Sequence, residues 1–183
     1  QAPQVWRDMV LVCLNTFGQR ISDIACMKWQ SVDFTTGTIS LQTQKTGAAL
    51  SWPIMPQLYT RLRALYANRE ESGYVFPEMA RRYTRSRGSL SVEFTALLRA
   101  LGIAEEQAPA GMTGRRRSVC SKSFHGLRRF AVSDNRKAGL APDLCRAMVG
   151  HDSEEVERAY FRASMDDKRQ ALQGMFGRLG MGA

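Results

Sequence analysis

Histidine and cysteine are scarce here, two of the first and four of the second in 183 residues. The cysteines are Cys13, Cys26, Cys120 and Cys145. None pairs as C-x-x-C, and with two histidines no zinc-binding spacing exists. Cys13 and Cys26 stand among apolar neighbours and read as buried free thiols, which suits a reducing cytoplasm. Long apolar runs are missing too. Met9 to Leu14 falls far short of the roughly 20 residues a membrane span needs, and it lacks the flanks of a secretory leader. The chain therefore reads as soluble. Repeats and low-complexity tracts are absent, and so is an initiating Met. A start at Gln1 reads as a fragment or a processed product.

Acidic residues are the minority charge. Lys and Arg number 26 against 17 Asp and Glu, a formal net charge of +9. A field of that sign favours a polyanionic partner, of which nucleic acid is the commonest, though a merely basic soluble protein has the same balance. Hydrophobic content of 44% and charged content of 23% are ordinary globular values, so one domain spanning 1–183 can bury a sizeable core.

Apolar spacing predicts a helix from Val5 to Phe17, broken at Gly18, and a second from Ile21 to Trp29. Val32–Phe34, Thr38–Thr43 and Ser51–Ile54, separated by Thr-Thr-Gly and Lys-Thr-Gly turns, predict a small three-stranded antiparallel sheet. Pro56 opens a helix carrying Leu58, Leu62 and Leu65, and Val92–Leu101 forms another. Glu105–Ser123, holding Gly, Pro and three consecutive arginines, reads as a loop. Helices follow near His125–Ala138, Pro142–Val149, Ser153–Phe161 and Met165–Leu179. The fold class is α+β, mainly α, with one small sheet.

Cutting a DNA phosphodiester without a metal needs a side-chain nucleophile, cations to meet the charge growing on the phosphoryl oxygens, and an acid for the departing 5′ oxygen. The sequence offers such a set. His125 and Arg128 share one helix face at i, i+3. Gly150-His151 joins two helical segments, with Tyr160 nine residues after His151. Arg20 and Asp23 are i, i+3 behind the Gly18 break, and Lys45 sits at a hairpin tip. Both histidines of the chain fall in this set. A phenol of ordinary pKa, about 10, is only about a thousandth ionised at neutral pH, so a nearby base and a cationic clamp are requirements.

The succession Thr16-Phe17-Gly18-Gln19-Arg20-Ile21-Ser22-Asp23, hairpin Lys45, His125-Gly-Leu-Arg128, Val-Gly-His151 and Tyr160 resembles the catalytic domain of the tyrosine recombinase (phage integrase) family, over nearly the whole chain. The resemblance implies a helical DNA breaking-rejoining fold and a site-specific recombinase needing neither metal nor cofactor nor ATP. It implies that Arg20 and Arg128 clamp the scissile phosphate and that Lys45 protonates the leaving oxygen. His125 would then assist proton transfer at the tyrosine, His151 would hydrogen-bond a phosphoryl oxygen, and Asp23 would orient its neighbours. Tyr160 would form the 3′-phosphotyrosine. It further implies double-stranded DNA as partner, a tetramer on DNA with the C-terminal helix in trans, a cytoplasmic location on DNA, and a separate DNA-gripping N-terminal domain outside this fragment. The family often has Thr-Gly-Leu-Arg where this chain has Phe17-Gly18-Gln19-Arg20, and His-Asp-Leu-Arg where it has His125-Gly126-Leu127-Arg128. Both departures touch packing and supporting bonds.

Other readings stand beside these. Tyr160 on its own would be a packing residue, Arg20 with Asp23 a surface pair, Lys45 a solvated turn, and His125 a helix cap. The order and spacing together outweigh them. Arg115, Arg116 and Arg117 read either as phosphate contacts or as a solvated or localisation-like patch. Met165, Lys168, Leu172, Met175, Phe176 and Leu179 form a stripe that packs on its own core or docks on a neighbouring subunit. The functional rivals are a type IB topoisomerase, which shares most of the set, a catalytically silent DNA-binding module of the same fold, and a helix-turn-helix regulator.

Overall fold

Helix α1 (Gln4–Asn15) places Trp6, Met9, Val12 and Cys13 at helical spacing, each 3% exposed or less, on a face that becomes the centre of the core. In this computed structural model the described residues are 1–44, 47–104, 106–107, 119–120, 122–150 and 164–181. The expected helix at Ser153–Phe161 and the arginine run Arg115–Arg117 lie outside them.

After a short α2 (Ile21–Ala25), the strands β1 (Val32–Asp33), β2 (Thr38–Gln42) and β3 (Ala49–Pro53) form an antiparallel sheet in that order, with Ile39 opposite both Val32 and Trp52. Ile39 and Leu41 point inward while Ser40 and Gln42 face solvent, the period-2 alternation of a sheet with one buried face. Helix α3 (Pro56–Ala67) follows directly, with Pro56 in its first turn and Leu58 and Leu62 fully buried. Then come α4 (Pro77–Arg85), α5 (Ser89–Ala100), the strand pair β4 (Glu106–Gln107) and β5 (Val119–Cys120), α6 (Phe124–Lys137), α7 (Pro142–Val149) and α8 (Met165–Arg178). Trp6, Phe94 and Phe124 stack in series, centroids 5.2 and 5.1 Å apart, joining α1, α5 and α6. No helix among the described residues is long and apolar enough to cross a membrane.

Polar bonds fix the layers to one another. Arg61 of α3 grips Asp8 of α1 through Nε and Nη2 at 2.7 and 2.8 Å. Asn15 donates to the Pro53 carbonyl and accepts from the Met55 amide, fastening the end of α1 to the exit of the sheet. The Trp52 indole donates to the Met148 carbonyl at 3.0 Å, tying β3 to α7. Each partner here is buried or half-buried, where a missing bond costs about 1–3 kcal/mol.

Several boundaries differ from the sequence reading. Helix α2 stops at Ala25 instead of running to Trp29, because the backbone turns away to pair elsewhere. Val75 donates to the Met27 carbonyl and the Trp29 amide donates to Gly73, with Lys28 bridged to Tyr74. Helix α5 begins three residues early, since Leu90 is buried in its first turn whereas Val92 is 71% exposed. The expected loop at 105–123 contains the β4–β5 pair, too short to leave a periodic signal. Helix α4 escaped the reading altogether: its buried face is only Met79 and Ala80 amid charged residues.

Candidate active site

Helix α1 ends in a turn that aims the next residues into the molecule. The Phe17 amide donates to the Leu14 carbonyl and the Gly18 amide to Cys13, the paired bonds of a Schellman cap. Phe17 occupies the left-handed position at φ +55°, an unfavourable place for a side chain, and its ring is fully buried in return. Gly18 follows at φ +82°. A Cβ on Gly18 would lie 2.3 Å from Arg128 Cα, so only glycine lets this loop meet α6 backbone to backbone.

That approach fixes Arg128. Its Nε donates to the Gly18 carbonyl at 2.7 Å and its Nη2 to Gln19 Oε1 at 3.1 Å, and the residue is 6% exposed. Burial first, and the neighbouring Arg20 charge second, press the Arg128 pKa below the ordinary guanidinium value, partly offset by Cys13 and Asp23. Arg20, the residue capping α2, is half-buried. Two arginines 108 positions apart in sequence thus stand in each other's field. The two line separate cavities, Arg20 one and Arg128 the other, and both cavities favour an anion over a cation.

His125, in the first turn of α6, is exposed and borders two cavities. One, of about 380 Å³, is lined by Arg20, Arg87, His125 and the hydroxyl residues Ser22, Ser91, Thr95 and Ser123. The other, of about 470 Å³, lies between α6 and α7 and is lined by Arg128, Arg129, Arg136 and Arg146. No carboxylate lines either one among the described residues. Arg146 pairs with Asp143 on its own helix.

Asp23 does not pair with Arg20. Its Oδ1 accepts from the Gln44 amide at 3.0 Å, holding the base of the β2–β3 turn, and its buried Oδ2 has no hydrogen-bond partner. Gln44 Nε2 also reaches the Ser22 carbonyl. The turn end of the hairpin is therefore fastened to α2. From its other side the hairpin meets α7, which ends at Gly150 in a left-handed turn at φ +76°. A Cβ there would strike Leu50 Cδ1 at 2.4 Å. Lys45, His151 and Tyr160 lie outside the described residues. Gln44, which precedes Lys45, is bonded to Asp23 and Ser22, and Val149, two residues before His151, is bonded to Gln19.

The stripe on α8 packs on its own chain. Ala171, Leu172, Met175 and Phe176 are buried, Lys168 Nζ donates to the Ser51 carbonyl at 2.7 Å, and Arg178 binds Asp134 and Asn135 of α6. The Ser164–Asp167 capping box starts the helix. Leu179 stays 37% exposed.

Sequence reasoning missed Arg87 and the bridging part of Gln19. Arg87 sits in Arg85-Ser86-Arg87-Gly88, a short basic stretch with no periodic signal. Gln19 was visible only as a departure from a family pattern.

With this geometry in place, comparison with known proteins is informative. Residues 2–167 match the model of the phage integrase family. No curated protein sequence matches the chain. Among solved structures, the integrase from mycobacterium phage Brujita superposes with a TM-score of 0.59 at 16% identity, over 94% of this chain and 52% of that one. A lambda integrase dimer bound to a COC′ core site gives 0.55 at 18%, over 89% and 45%. The Tn1549 transposon integrase in complex with a circular intermediate DNA gives 0.54 at 16%, over 93% and 59%. The chain thus spans about half the length of the integrases it resembles. At such identities the structures establish a shared fold, that of tyrosine recombinase catalytic domains, and the match over residues 2–167 establishes descent: the chain belongs to the phage integrase family.

Proposed function

We propose that this chain is the catalytic domain of a site-specific DNA recombinase that cuts and rejoins duplex DNA through a phosphotyrosyl link to Tyr160. The observation that carries the reading is that Arg20 and Arg128 line two cavities that share His125 and hold no carboxylate among the described residues. Two guanidinium groups so held would bind the scissile phosphate and meet the charge that develops as the phenol oxygen attacks phosphorus.

In this reading the Tyr160 phenol loses its proton, with His125 assisting, and its oxygen bonds to phosphorus while the bond to the 5′ oxygen breaks. Lys45 gives that oxygen a proton, and His151 donates a hydrogen bond to a phosphoryl oxygen. The phosphotyrosyl ester keeps the bond energy, so the reverse attack by a 5′ hydroxyl reseals the strand without ATP. Asp23 takes a supporting part by holding Gln44, the residue before Lys45. Arg115–Arg117 would add phosphate contacts.

Assembly on DNA is part of the proposal. Among the similar structures are a lambda integrase dimer bound to a core site and a lambda integrase tetramer bound to a Holliday junction. A trans contact by the C-terminal helix would use the exposed face of α8 and Leu179, or would require the buried stripe to leave its own chain. The working location would be on DNA in the cytoplasm.

The test uses a pool of nicked, randomised-sequence duplexes that lose a short fragment on cleavage and so trap the covalent adduct. Wild-type protein should yield an adduct that survives denaturing electrophoresis, and Tyr160→Phe should yield none. An adduct undiminished by Tyr160→Phe would remove the mechanism.

A further inference from the structure

We infer that Gln19 is a positioning residue that holds the Arg128 guanidinium and the chain entering Gly150-His151 in one frame; the inference rests on the DNA-cleaving reading above. Gln19 is 1% exposed, so its amide must find partners inside the protein. It finds one on each side. Oε1 accepts from Arg128 Nη2 at 3.1 Å, and Nε2 donates to the Val149 carbonyl at 3.2 Å. The backbone carbonyl of Gln19 accepts from Cys13 Sγ, anchoring the residue to α1.

The chemistry of these partners leaves one orientation. Turning the amide over would set N–H against guanidinium N–H and oxygen against carbonyl oxygen, repulsive at both ends. Val149 is the last residue of α7, and its carbonyl is among those a helix leaves without an internal partner. Gln19 therefore caps α7 with one end of its amide and orients Arg128 with the other. A leucine here would satisfy neither. A glutamate would still accept from Arg128, but it would face the Val149 carbonyl with an oxygen and offset the positive charge the phosphate needs. Only a neutral side chain with a donor and an acceptor ties the two segments together while leaving that charge intact.

The consequence is measurable separately from folding. Once the nicked-duplex pool has yielded a preferred sequence, single-turnover cleavage on it gives a rate constant at saturating DNA and a separate Kd. Gln19→Met, matched in volume but unable to bridge, should lower the rate constant about 10- to 100-fold with Kd within about threefold, because misplacing a catalytic group by about an ångström has effects of that size. If Gln19 acts through Arg128, adding Gln19→Met to Arg128→Lys should slow cleavage less than about threefold further. Gln19→Glu, which keeps the shape and the Arg128 bond, is the second variant and should also lose at least about tenfold in rate per folded molecule.

Cleavage by Gln19→Met within threefold of wild type, a loss confined to Kd, or a fully multiplicative effect on Arg128→Lys would each overturn the inference. Failure of both single variants to fold would make Gln19 a stability residue and overturn it as well. A wild-type chain that forms no Tyr160-dependent adduct would sink the proposed function and this inference with it. Robust wild-type cleavage that Gln19 variants leave untouched would sink the inference alone.

Discussion

An apolar cavity beside α1 and the cavity beside Arg20 are built on opposite terms. The first, of about 590 Å³, lies between α1 and α5 and is walled by Leu11, Leu14, Leu97, Leu98, Leu101 and Ile103. Its one carboxylate, Asp8, is gripped by Arg61 and reached by Gln4, so its charge is answered on the spot. The second is smaller, about 380 Å³, and brings together Arg20 and Arg87, neither of which makes an ion pair among the described residues. Volume in the first is what apolar packing leaves over. The second gathers positive charge with no carboxylate lining it among the described residues, surroundings that favour an anion. The proposed chemistry belongs to the second region, although a choice between them by size and apolarity would fall on the first.

This contrast can be broken most severely at Arg128. Arg128→Ala removes half of the proposed clamp and strands the Gly18 carbonyl and Gln19 Oε1. Adduct formation should fall about 10²–10³-fold, the range seen when one preorganised transition-state donor is deleted. Gly18→Ala comes next. Its methyl would meet α6 backbone at 2.3 Å and sit at positive φ, so urea denaturation should show a loss of about 2–4 kcal/mol, accompanied by slower cleavage. Leu14→Ala, on the apolar side, should cost about 2–3 kcal/mol in the same experiment. Cleavage per folded molecule should stay within about threefold of wild type, which sharpens the division between the regions. Slowing beyond tenfold by Leu14→Ala would erase that division.

Arg87→Ala should leave stability unchanged. It should weaken DNA binding by about tenfold and lower the slope of log K against log salt by about 0.9, one released counterion. The smallest effect concerns Cys13, whose thiol is pushed up by complete burial, with Arg128 pulling weakly the other way. The folded state keeps a proton that an unfolded chain releases above the ordinary thiol value of about 8.5. Its stabilising share is therefore full below that pH and declines as pH rises past it, by about 1 kcal/mol between pH 8 and 9.5. Cys26 and Cys145 are pushed up by burial too, so melts across that window should decline in both wild type and Cys13→Ala, more steeply in wild type.

What the sequence disclosed follows from the range of each interaction. The start of α3 and the boundaries of α6 and α7 rest on local periodicity, capping and proline placement, and they emerged within a residue or so. Helix α2 was overextended because Met27 and Trp29 take their partners from residues 73–75, a pairing that no local pattern encodes. Gly18 was legible as a break in a helix but not as the contact point for α6. The bonds of Gln19 reach across 109 and 130 positions, so only the folded chain reveals them. The fold family was legible because several short boxes recur in a fixed order, each supplying a group the chemistry requires.

The fastening of the hairpin has a consequence for its length. Trp52 is tied to Met148, Leu50 lies under Gly150, and Gln44 hangs from Asp23. The β2–β3 ribbon is thus held at both ends, near its base by Trp52 and in its turn by Gln44, so its span is set by the domain around it. Each residue added to both strands would lengthen the ribbon by about 3.3 Å and carry Gln44 away from Asp23 and Ser22, so the distance from α7 to α2 dictates how long the two strands can be.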